Sequence, residues 1–441
     1  MSPWQDLITA ALIGTERAPV PATVIPGLPG PADAPDDTAP DDPAALLLDR
    51  AALLTVARRG GRLADRVAPP PAPEPDPAPE VSRAAGRRLA WMLRGEHADL
   101  LTEWLATAVT RGHRAPAYLL PALLDQARRV TPADPELRRL AAEAGGPRAR
   151  WLAGLNPDWA FVTAYTQADE DAWRLGTISQ RRAYLTALRV RDPAAARELI
   201  AGGWAAAGPD ERVMFVTVLP VGLSPADEPL LDVALDHGNA RTRTLAAEML
   251  AALPGSALAQ RMAVRALGYL RLHQGSRGTR LVAFPPTRCD AAMRRDGISS
   301  GSGALSTNLA GQAGLMLQVL ARTPLRTWTA EFARPPGQIL ALPSGGWAPV
   351  LFDGWALAAI AQRDQEWMGA LINRALAGGG PGIPSGTETL GQLARRADPA
   401  LGAPGARPDP PPGASPLVED AVRILRFRYH MLKELDHDSA G

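Results

Sequence analysis

The sequence contains a single cysteine, Cys289, in 441 residues. One thiol excludes an intramolecular disulfide and a cysteine-based structural zinc cluster. Chains without disulfides are typical of reducing compartments. We therefore expect the protein to be cytoplasmic.

Lysine is equally scarce: Lys433 is the only lysine, and the other Lys+Arg residues are arginines. A Walker-type phosphate loop needs a lysine directly after its glycines, and Lys433 follows no glycine loop, so that nucleotide-binding motif is excluded. The 47 basic residues are balanced by 46 acidic residues. No overall field attracts the chain to nucleic acid, and binding through arginine clusters is a second alternative only.

Long apolar runs are missing too. The longest ones, such as 355–361, are far shorter than the roughly 18 residues that span a bilayer. The apolar stretch at 7–14 does not predict a signal peptide, since Asp6 stands where a basic region is needed and Glu16 where small cleavage-site residues are needed. The sequence therefore predicts no membrane partner.

The histidines form no metal-binding pattern. None of the six has a second histidine four residues away with an intervening glutamate, as a zinc-hydrolase helix requires. His430, Asp436 and His437 cluster near the end of the sequence, where we interpret them as a solvated helix end. We expect neither a metal nor an organic cofactor.

Proline and glycine are abundant, with 44 and 41 residues, while apolar residues elsewhere recur at helical spacing. We predict an all-α protein: a HEAT-like helical repeat, or α-solenoid, with Pro-rich linkers and one irregular glycine-rich insertion. The predicted segments are an N-terminal amphipathic helix at 1–16, an acidic Pro-rich linker at 17–43, a helix at 44–66, a Pro-rich linker at 67–81, a helical repeat domain at 82–275, an irregular loop region at 276–303, a C-terminal helical domain at 304–400, a Pro-rich linker at 401–415 and a C-terminal helix at 416–437.

Several helix starts share one chemistry. A capping Asp or Ser precedes a proline at the first helical position, where the missing N–H costs nothing. The pairs are Asp134-Pro135, Asp192-Pro193 and Ser224-Pro225, and Asp227 follows Ser224 at the reciprocal capping position. These signals place the helix starts.

The segment 239–250 resembles the second helix of a HEAT repeat. Small apolar residues form a stripe that permits close stacking, and Arg241 and Arg243 lie in front of it. A stack of such helices offers a surface to a partner. Arg241 and Arg243 are therefore candidate binding residues.

Helical periodicity stops between residues 275 and 305, where 279–284 favours a short strand and a loop rich in arginine, glycine and serine follows. Arg294, Arg295 and Asp296 are candidate binding residues there.

The string 297–301 matches a nucleophile elbow around Ser299, but no strand precedes it. A solvent loop, or an anion-binding loop formed by backbone N–H groups with Arg294 or Arg295, is the preferred interpretation. The arginines also make the setting of Cys289 electropositive, although a lone cysteine is usually inert.

Several phrases together resemble a bacterial family of unknown function. They are Trp4 with ALIGTER at 11–17, WLAGLNPDW at 151–159, LSPADEP at 223–229, RDGI at 295–298, and GWA at 354–356 with Trp367. Members of that family are typically encoded beside SWIM-type zinc-finger proteins, MoxR-type AAA+ ATPases and von Willebrand factor A-domain proteins. The resemblance covers nearly the whole chain outside the Pro-rich linkers. It implies an adaptor for an AAA+ ATPase or a von Willebrand factor A-domain protein, and it carries over no catalytic residue.

The leading hypothesis is therefore a non-catalytic scaffold or adaptor that binds a protein and serves an AAA+ ATPase-linked chaperone or conflict system. An enzyme of unknown class with its site in the 276–303 loop is the alternative, since long loops in a helical scaffold are often functional. No catalytic residue is assigned.

Overall fold

A computed structural model describes residues 3–21, 42–60, 70–129, 135–164, 173–276, 278–299, 309–377, 387–406 and 414–437. These residues are mostly helical, so the prediction of an all-α protein is confirmed at that level. The chain divides into two compact units, residues 1–72 and residues 73–441. No helix in the described parts is long and apolar enough to cross a membrane.

The first unit contains helices α1 (Pro3–Ile13) and α2 (Pro43–Gly60), which contact each other. The guanidinium of Arg58 lies over the Trp4 ring, 5.3 Å from its centroid. Helix α2 begins where the Asp42 carboxylate accepts a hydrogen bond from the Ala44 N–H at 2.9 Å. It ends at Gly60, and the last predicted residues of the 44–66 helix lie outside the described residues, as does most of the predicted 17–43 linker.

The second unit carries helices that succeed one another with short connections. Its first group is α3 (Arg83–Leu93), α4 (Leu101–Thr110), α5 (Leu120–Arg129), α6 (Pro135–Leu155) and α7 (Phe161–Ala164). The middle group is α8 (Ile178–Arg191), α9 (Pro193–Trp204), α10 (Pro209–Val218), α11 (Glu228–Ala234), α12 (Ala240–Ala251) and α13 (Ala257–Tyr269). The last group is α14 (Ala291–Arg295), α15 (Leu309–Ala321), α16 (Arg326–Phe332), α17 (Pro336–Leu340), α18 (Ala348–Gln362), α19 (Gln365–Leu376), α20 (Thr387–Arg396) and α21 (Pro416–His437).

The predicted caps fix several of these helix starts. The Asp192 carboxylate accepts hydrogen bonds from two backbone N–H groups of α9. Asn239, which was not among the predicted caps, accepts one hydrogen bond from the Arg241 backbone N–H. The Asp227 carboxylate accepts from the Ser224 backbone N–H at 2.9 Å, as the reciprocal cap requires. Asp134 lies outside the described residues, so its pairing with Pro135 is not described.

One hairpin interrupts the helices. Strands β1 (Leu270–Gly275) and β2 (Gly278–Ala283) are antiparallel, with Leu270 opposite Ala283 and Leu272 opposite Leu281. Strand β1 lies at the end of the 82–275 segment, which was predicted to be a helical repeat. Its backbone N–H and carbonyl groups form hydrogen bonds with β2, so the chain does not continue as α13. The short strand expected at 279–284 is present as β2. The region 276–303 is thus more regular than expected, since it also contains α14.

The Pro-rich segment 73–81 belongs to the second unit rather than serving only as a spacer. The Val81 N–H donates to the Arg114 carbonyl, and the Arg114 N–H donates to the Pro79 carbonyl. Glu80 forms an ion pair with Arg148 at 2.6 Å. Backbone pairing therefore anchors this part of the predicted linker.

The last helix returns to the first helices of the second unit. Met431 and Leu435 of α21 are fully buried in a core formed mainly by α3–α6. Glu434 accepts two hydrogen bonds from Arg88 of α3, and Arg428 donates two to Glu103 of α4. In an open solenoid each repeat contacts only its neighbours, so this closing contact is a departure from a simple repeat stack.

Candidate functional site

The predicted binding residues lie at two helix ends in the middle of the second unit. Arg241 and Arg243 stand in the first turn of α12, Arg294 and Arg295 in the last turn of α14, and Asp296 directly after it. Gly297 follows with a φ of +75°. What each side chain contacts decides which of them can bind something else.

Asp296 is almost completely buried, with 1% of its surface exposed. Its carboxylate accepts hydrogen bonds from Arg261 at 2.7 Å and from Arg265 at 2.5 Å, both on α13. Arg295 lies 3.8 Å from the same carboxylate. Both oxygens of the Asp296 carboxylate are therefore occupied by guanidinium donors.

Arg295 extends this arrangement to α11. Its guanidinium donates to Asp236 at 2.7 Å and to Asp232 at 3.2 Å. The hydrogen bond from Arg295 holds the pKa of Asp236 below its ordinary value. These side chains form what we call the Asp296 cluster, which joins α11, α13 and α14: Asp232, Asp236, Arg261, Arg265, Arg295 and Asp296.

The residue after the Asp296 cluster is Gly297, and the space around it explains why it is a glycine. A Cβ at this position would lie 2.7 Å from the Ala247 side chain and 3.0 Å from the Arg243 carbonyl oxygen. The backbone therefore presses against α12 in a left-handed conformation that other residues rarely adopt. Ile298 is buried next to it. The RDGI phrase thus packs α14 onto α11–α13.

The remaining predicted arginines also have structural contacts. Arg243 donates to the carbonyls of His237 and Gly238, at 2.7 and 3.0 Å. Arg294 donates to the Cys289 carbonyl at 2.8 Å. Arg241 is exposed and has no ion pair or side-chain hydrogen bond among the described residues. Among the five predicted residues, Arg241 is the most available to a ligand.

Ser299 and Cys289 are not arranged as nucleophiles in the described part of the chain. The backbone N–H and carbonyl of Ser299 both pair with the Gln318 side chain, at 3.0 and 2.8 Å. Helix α14, and no strand, precedes the serine. The Cys289 thiol is buried and lies 3.5 Å from the Ile298 carbonyl. A nucleophile elbow needs an incoming strand, so that motif match carries no catalytic site.

A second ionic group involves the reciprocal cap at Asp227. Asp227 and Arg189 of α8 are both fully buried and joined by two hydrogen bonds, at 2.9 and 3.0 Å. Arg197 adds a third, at 2.8 Å. Burial alone would raise the pKa of Asp227, but the hydrogen bonds from the two arginines outweigh it and leave this pKa below its ordinary value. The LSPADEP phrase therefore ties α8, α9 and α11 together.

Sequence reasoning missed an arginine-lined cleft in the second unit. It has a volume of about 440 Å³ and is lined by side chains of α4, α6, α7 and α8 together with Arg114. Its charged residues are Arg114, Arg139, Glu143, Arg150 and Arg191, and its apolar ones are Val109, Ala142, Val162, Ala187 and Val190. Residues 139, 143, 146 and 150 have the spacing of one helix face, a signal available in the sequence. Arg114 and Arg191 come from other segments and carry no such signal.

Large apolar side chains are exposed on the first unit. On α1 they are Ile8, Leu12 and Ile13, and on α2 they are Leu48, Leu53 and Val56. Their exposed fractions run from 44% for Ile8 to 82% for Leu12. We call these six side chains the α1–α2 apolar surface. No group of three or more metal-ligating side chains occurs in the described ranges.

A family described only as a family of unknown function (DUF5691) matches residues 6–389. The match includes most of α1, all of α2, the Asp296 cluster and the arginine-lined cleft. It ends before α21. No curated protein and no solved structure matches the chain.

Proposed function

The chain belongs to the family of unknown function DUF5691, and from that premise we propose that it is a non-catalytic interaction scaffold that docks a protein partner through the α1–α2 apolar surface. One observation carries this proposal. Two helices expose six large aliphatic side chains, each at 44% or more. Large aliphatic side chains exposed together on two contacting helices are typical of interaction sites in soluble proteins.

The partner that we propose is an AAA+ ATPase, with a von Willebrand factor A-domain protein as the other family-associated choice. This choice comes from the resemblance to a family typically encoded beside both. An adaptor of this kind works in the cytoplasm, which fits the single reduced cysteine. The helices of 178–269 act as HEAT-like stacked pairs that give the second unit a stable body.

Mutation of the most exposed positions tests the docking surface. The full-length tagged chain is purified from its native host with and without ATP, and bound proteins are identified and quantified. A double variant Leu12→Glu with Val56→Glu places charge on the α1–α2 apolar surface. Because both side chains are mostly exposed, these substitutions leave the free energy of unfolding nearly unchanged. We expect an AAA+ ATPase in stoichiometric amounts with the wild type and its loss from the double variant.

The matched control is Val264→Glu on α13, since Val264 is equally exposed but belongs to the second unit. It should retain the AAA+ ATPase. Absence of a stoichiometric AAA+ or von Willebrand factor A-domain protein from the wild type would contradict the proposal. Equal binding by the double variant would contradict the docking surface. Circular dichroism of each variant verifies that the helices remain folded.

A further inference from the structure

We propose that the arginine-lined cleft of the second unit binds a small amphiphilic anion, a molecule with a phosphate or carboxylate head and an apolar body. This site is independent of the docking surface on the first unit. The cleft volume of about 440 Å³ lies within the range of small-molecule sites. Its walls combine several arginines with a patch of valine and alanine, and these two chemistries define the ligand.

Two of its arginines are already committed to neighbours. Arg114 donates to the Asp76 carboxylate at 2.7 Å and to the Glu143 carbonyl at 3.0 Å. Arg139 donates to Glu136 at 2.8 Å and to Glu143 at 2.7 Å. The only acidic lining residue, Glu143, is therefore occupied by Arg139. These contacts fix the side chains of Arg114 and Arg139 in the cleft wall.

The other two arginines lack such partners. Arg150 of α6 and Arg191 of α8 are exposed and have no hydrogen bond or ion pair with any described residue. The charge of Arg150 does act on Asp76. The hydrogen bond from Arg114 lowers the pKa of Asp76, and the charge of Arg150 makes a smaller contribution in the same direction. Guanidinium groups that line one concave surface repel each other and raise the local concentration of anions. An oxyanion is the ligand that relieves this repulsion and uses the paired donors of arginine.

The backbone shapes the cleft for such a head group. Helix α6 is kinked at Gly146, which has φ +54° and ψ −143° and lines the cleft. A Cβ there would lie 2.5 Å from the Asp76 carboxylate and 2.7 Å from Nε of Arg114, so only glycine lets this pair approach the kink. The second half of α6 starts at the kink, so its N-terminus, where the helix dipole is positive, adjoins the cleft.

The apolar part of the lining selects the body of the ligand. Val109, Val162 and Val190 come from α4, α7 and α8, and Val190 is 43% exposed. A bare inorganic anion would leave these side chains in water, whereas an aromatic or aliphatic body covers them. The cleft therefore favours an amphiphilic anion over inorganic phosphate.

Calorimetric titration of the full-length protein tests this site with four defined probes. Phenyl phosphate and benzoate share an aromatic body and differ in the anionic head, while inorganic phosphate has only the head and phenol only the body. We expect saturable binding of phenyl phosphate or benzoate, weaker binding of inorganic phosphate and none of phenol. The stronger of the first two identifies the head group. Binding should weaken as salt is raised.

Variants connect the binding to the cleft. Arg150→Gln combined with Arg191→Gln should lower the affinity at least about tenfold, as expected for loss of charge-assisted hydrogen bonds. Ala187→Leu fills the apolar side and should weaken phenyl phosphate binding while sparing inorganic phosphate. Arg87→Gln is the matched control, because Arg87 is an exposed arginine of α3 that does not line this cleft and has no ion pair in the described chain.

Three results would overturn the proposal. The first is the absence of saturable binding of both aromatic anions by the wild type. The second is an equal loss of affinity in Arg87→Gln, which would indicate diffuse attraction by surface charge. The third is equal affinity for inorganic phosphate and phenyl phosphate. The variant Leu12→Glu with Val56→Glu should bind the probes normally, so failure of this site and failure of the scaffold proposal are distinguishable.

Discussion

Two arginine-rich regions of the second unit differ in how their charges are neutralised. In the Asp296 cluster, Arg261, Arg265 and Arg295 each contact a carboxylate, and the central one is buried. In the cleft, Arg150 and Arg191 face a shared concave space without a carboxylate partner in the described residues. The first arrangement holds helices together, whereas the second is available to a ligand. Pairing of charges, rather than the number of arginines, separates a structural cluster from a binding site.

The largest effect is expected at the fully buried pair. Asp227→Ala removes the one carboxylate that pairs with Arg189 in the described part of the chain and leaves that guanidinium buried without a counter-charge. We expect a loss of about 3–5 kcal/mol in the free energy of unfolding. Urea unfolding followed by circular dichroism measures it. A loss below about 1 kcal/mol would show that water reaches Arg189.

A smaller loss is expected at the Asp296 cluster. Asp296→Ala removes the carboxylate shared by Arg261 and Arg265, but both guanidinium groups are partly exposed and can hydrate. The expected destabilisation is about 1–3 kcal/mol. Asp420→Ala is the control, because Asp420 pairs with the exposed Arg423 on the same helix and should change stability by less than about 0.5 kcal/mol. Equal effects of the two variants would contradict the structural role.

The backbone of the cluster gives a third test. Gly297→Ala must adopt a positive φ and displace the Ala247 side chain, so we expect about 1–3 kcal/mol of destabilisation. Gly202→Ala on α9 is the matched control, since nothing lies within 4 Å of its added Cβ. Alanine there should stabilise the helix by about 0.5–1 kcal/mol. If both variants lowered the melting temperature equally, the close approach of residue 297 to α12 would be disproved.

Acid should weaken the Asp296 cluster. The pKa of Asp236 is lowered in the folded state by the hydrogen bond from Arg295. Its contribution is therefore present above the unfolded pKa of about 3.9 and is lost as the pH falls through the folded pKa. Because Asp236 is mostly exposed, the loss should be below about 1 kcal/mol. Stability measured from pH 5 to pH 3 should decline less steeply in Asp236→Asn than in the wild type.

The smallest effect is expected in the cleft. Arg150→Gln with Arg191→Gln breaks no ion pair with a described residue, so the free energy of unfolding should change by less than about 0.5 kcal/mol. Thermal unfolding without ligand measures it. A loss as large as that of Asp296→Ala would place these arginines with the structural cluster and erase the contrast between the two regions.

Local sequence signals were enough to locate many helices. The caps at Asp192 and Asn239 act on backbone groups two or three residues away, so their hydrogen bonds are encoded in a few consecutive residues. The reciprocal cap at Ser224 and Asp227 has the same local character. Strand β1 lies at the end of the segment 82–275 that was expected to be a helical repeat, because its pairing with β2 outweighs the periodicity continued from α13.

The candidate site was only partly predictable. The RDGI phrase drew attention to Arg295 and Asp296, but their partners Arg261 and Asp236 lie 35 and 59 residues away. Nothing near Asp296 in the sequence shows that it is buried. The cleft was missed for the same reason, since Arg114, Arg150 and Arg191 come from separate segments.

By itself the sequence determined the mostly helical class, the helix starts, and the absence of a disulfide and of a Walker loop. These properties depend on residue type and on contacts within about one helical turn. Only the tertiary structure decided that α21 closes onto α3 and α4, that Asp227 neutralises Arg189, and that Arg150 and Arg191 share a cleft. The reason is physical: burial and charge pairing depend on which distant segments pack together, and one-dimensional spacing does not specify that packing.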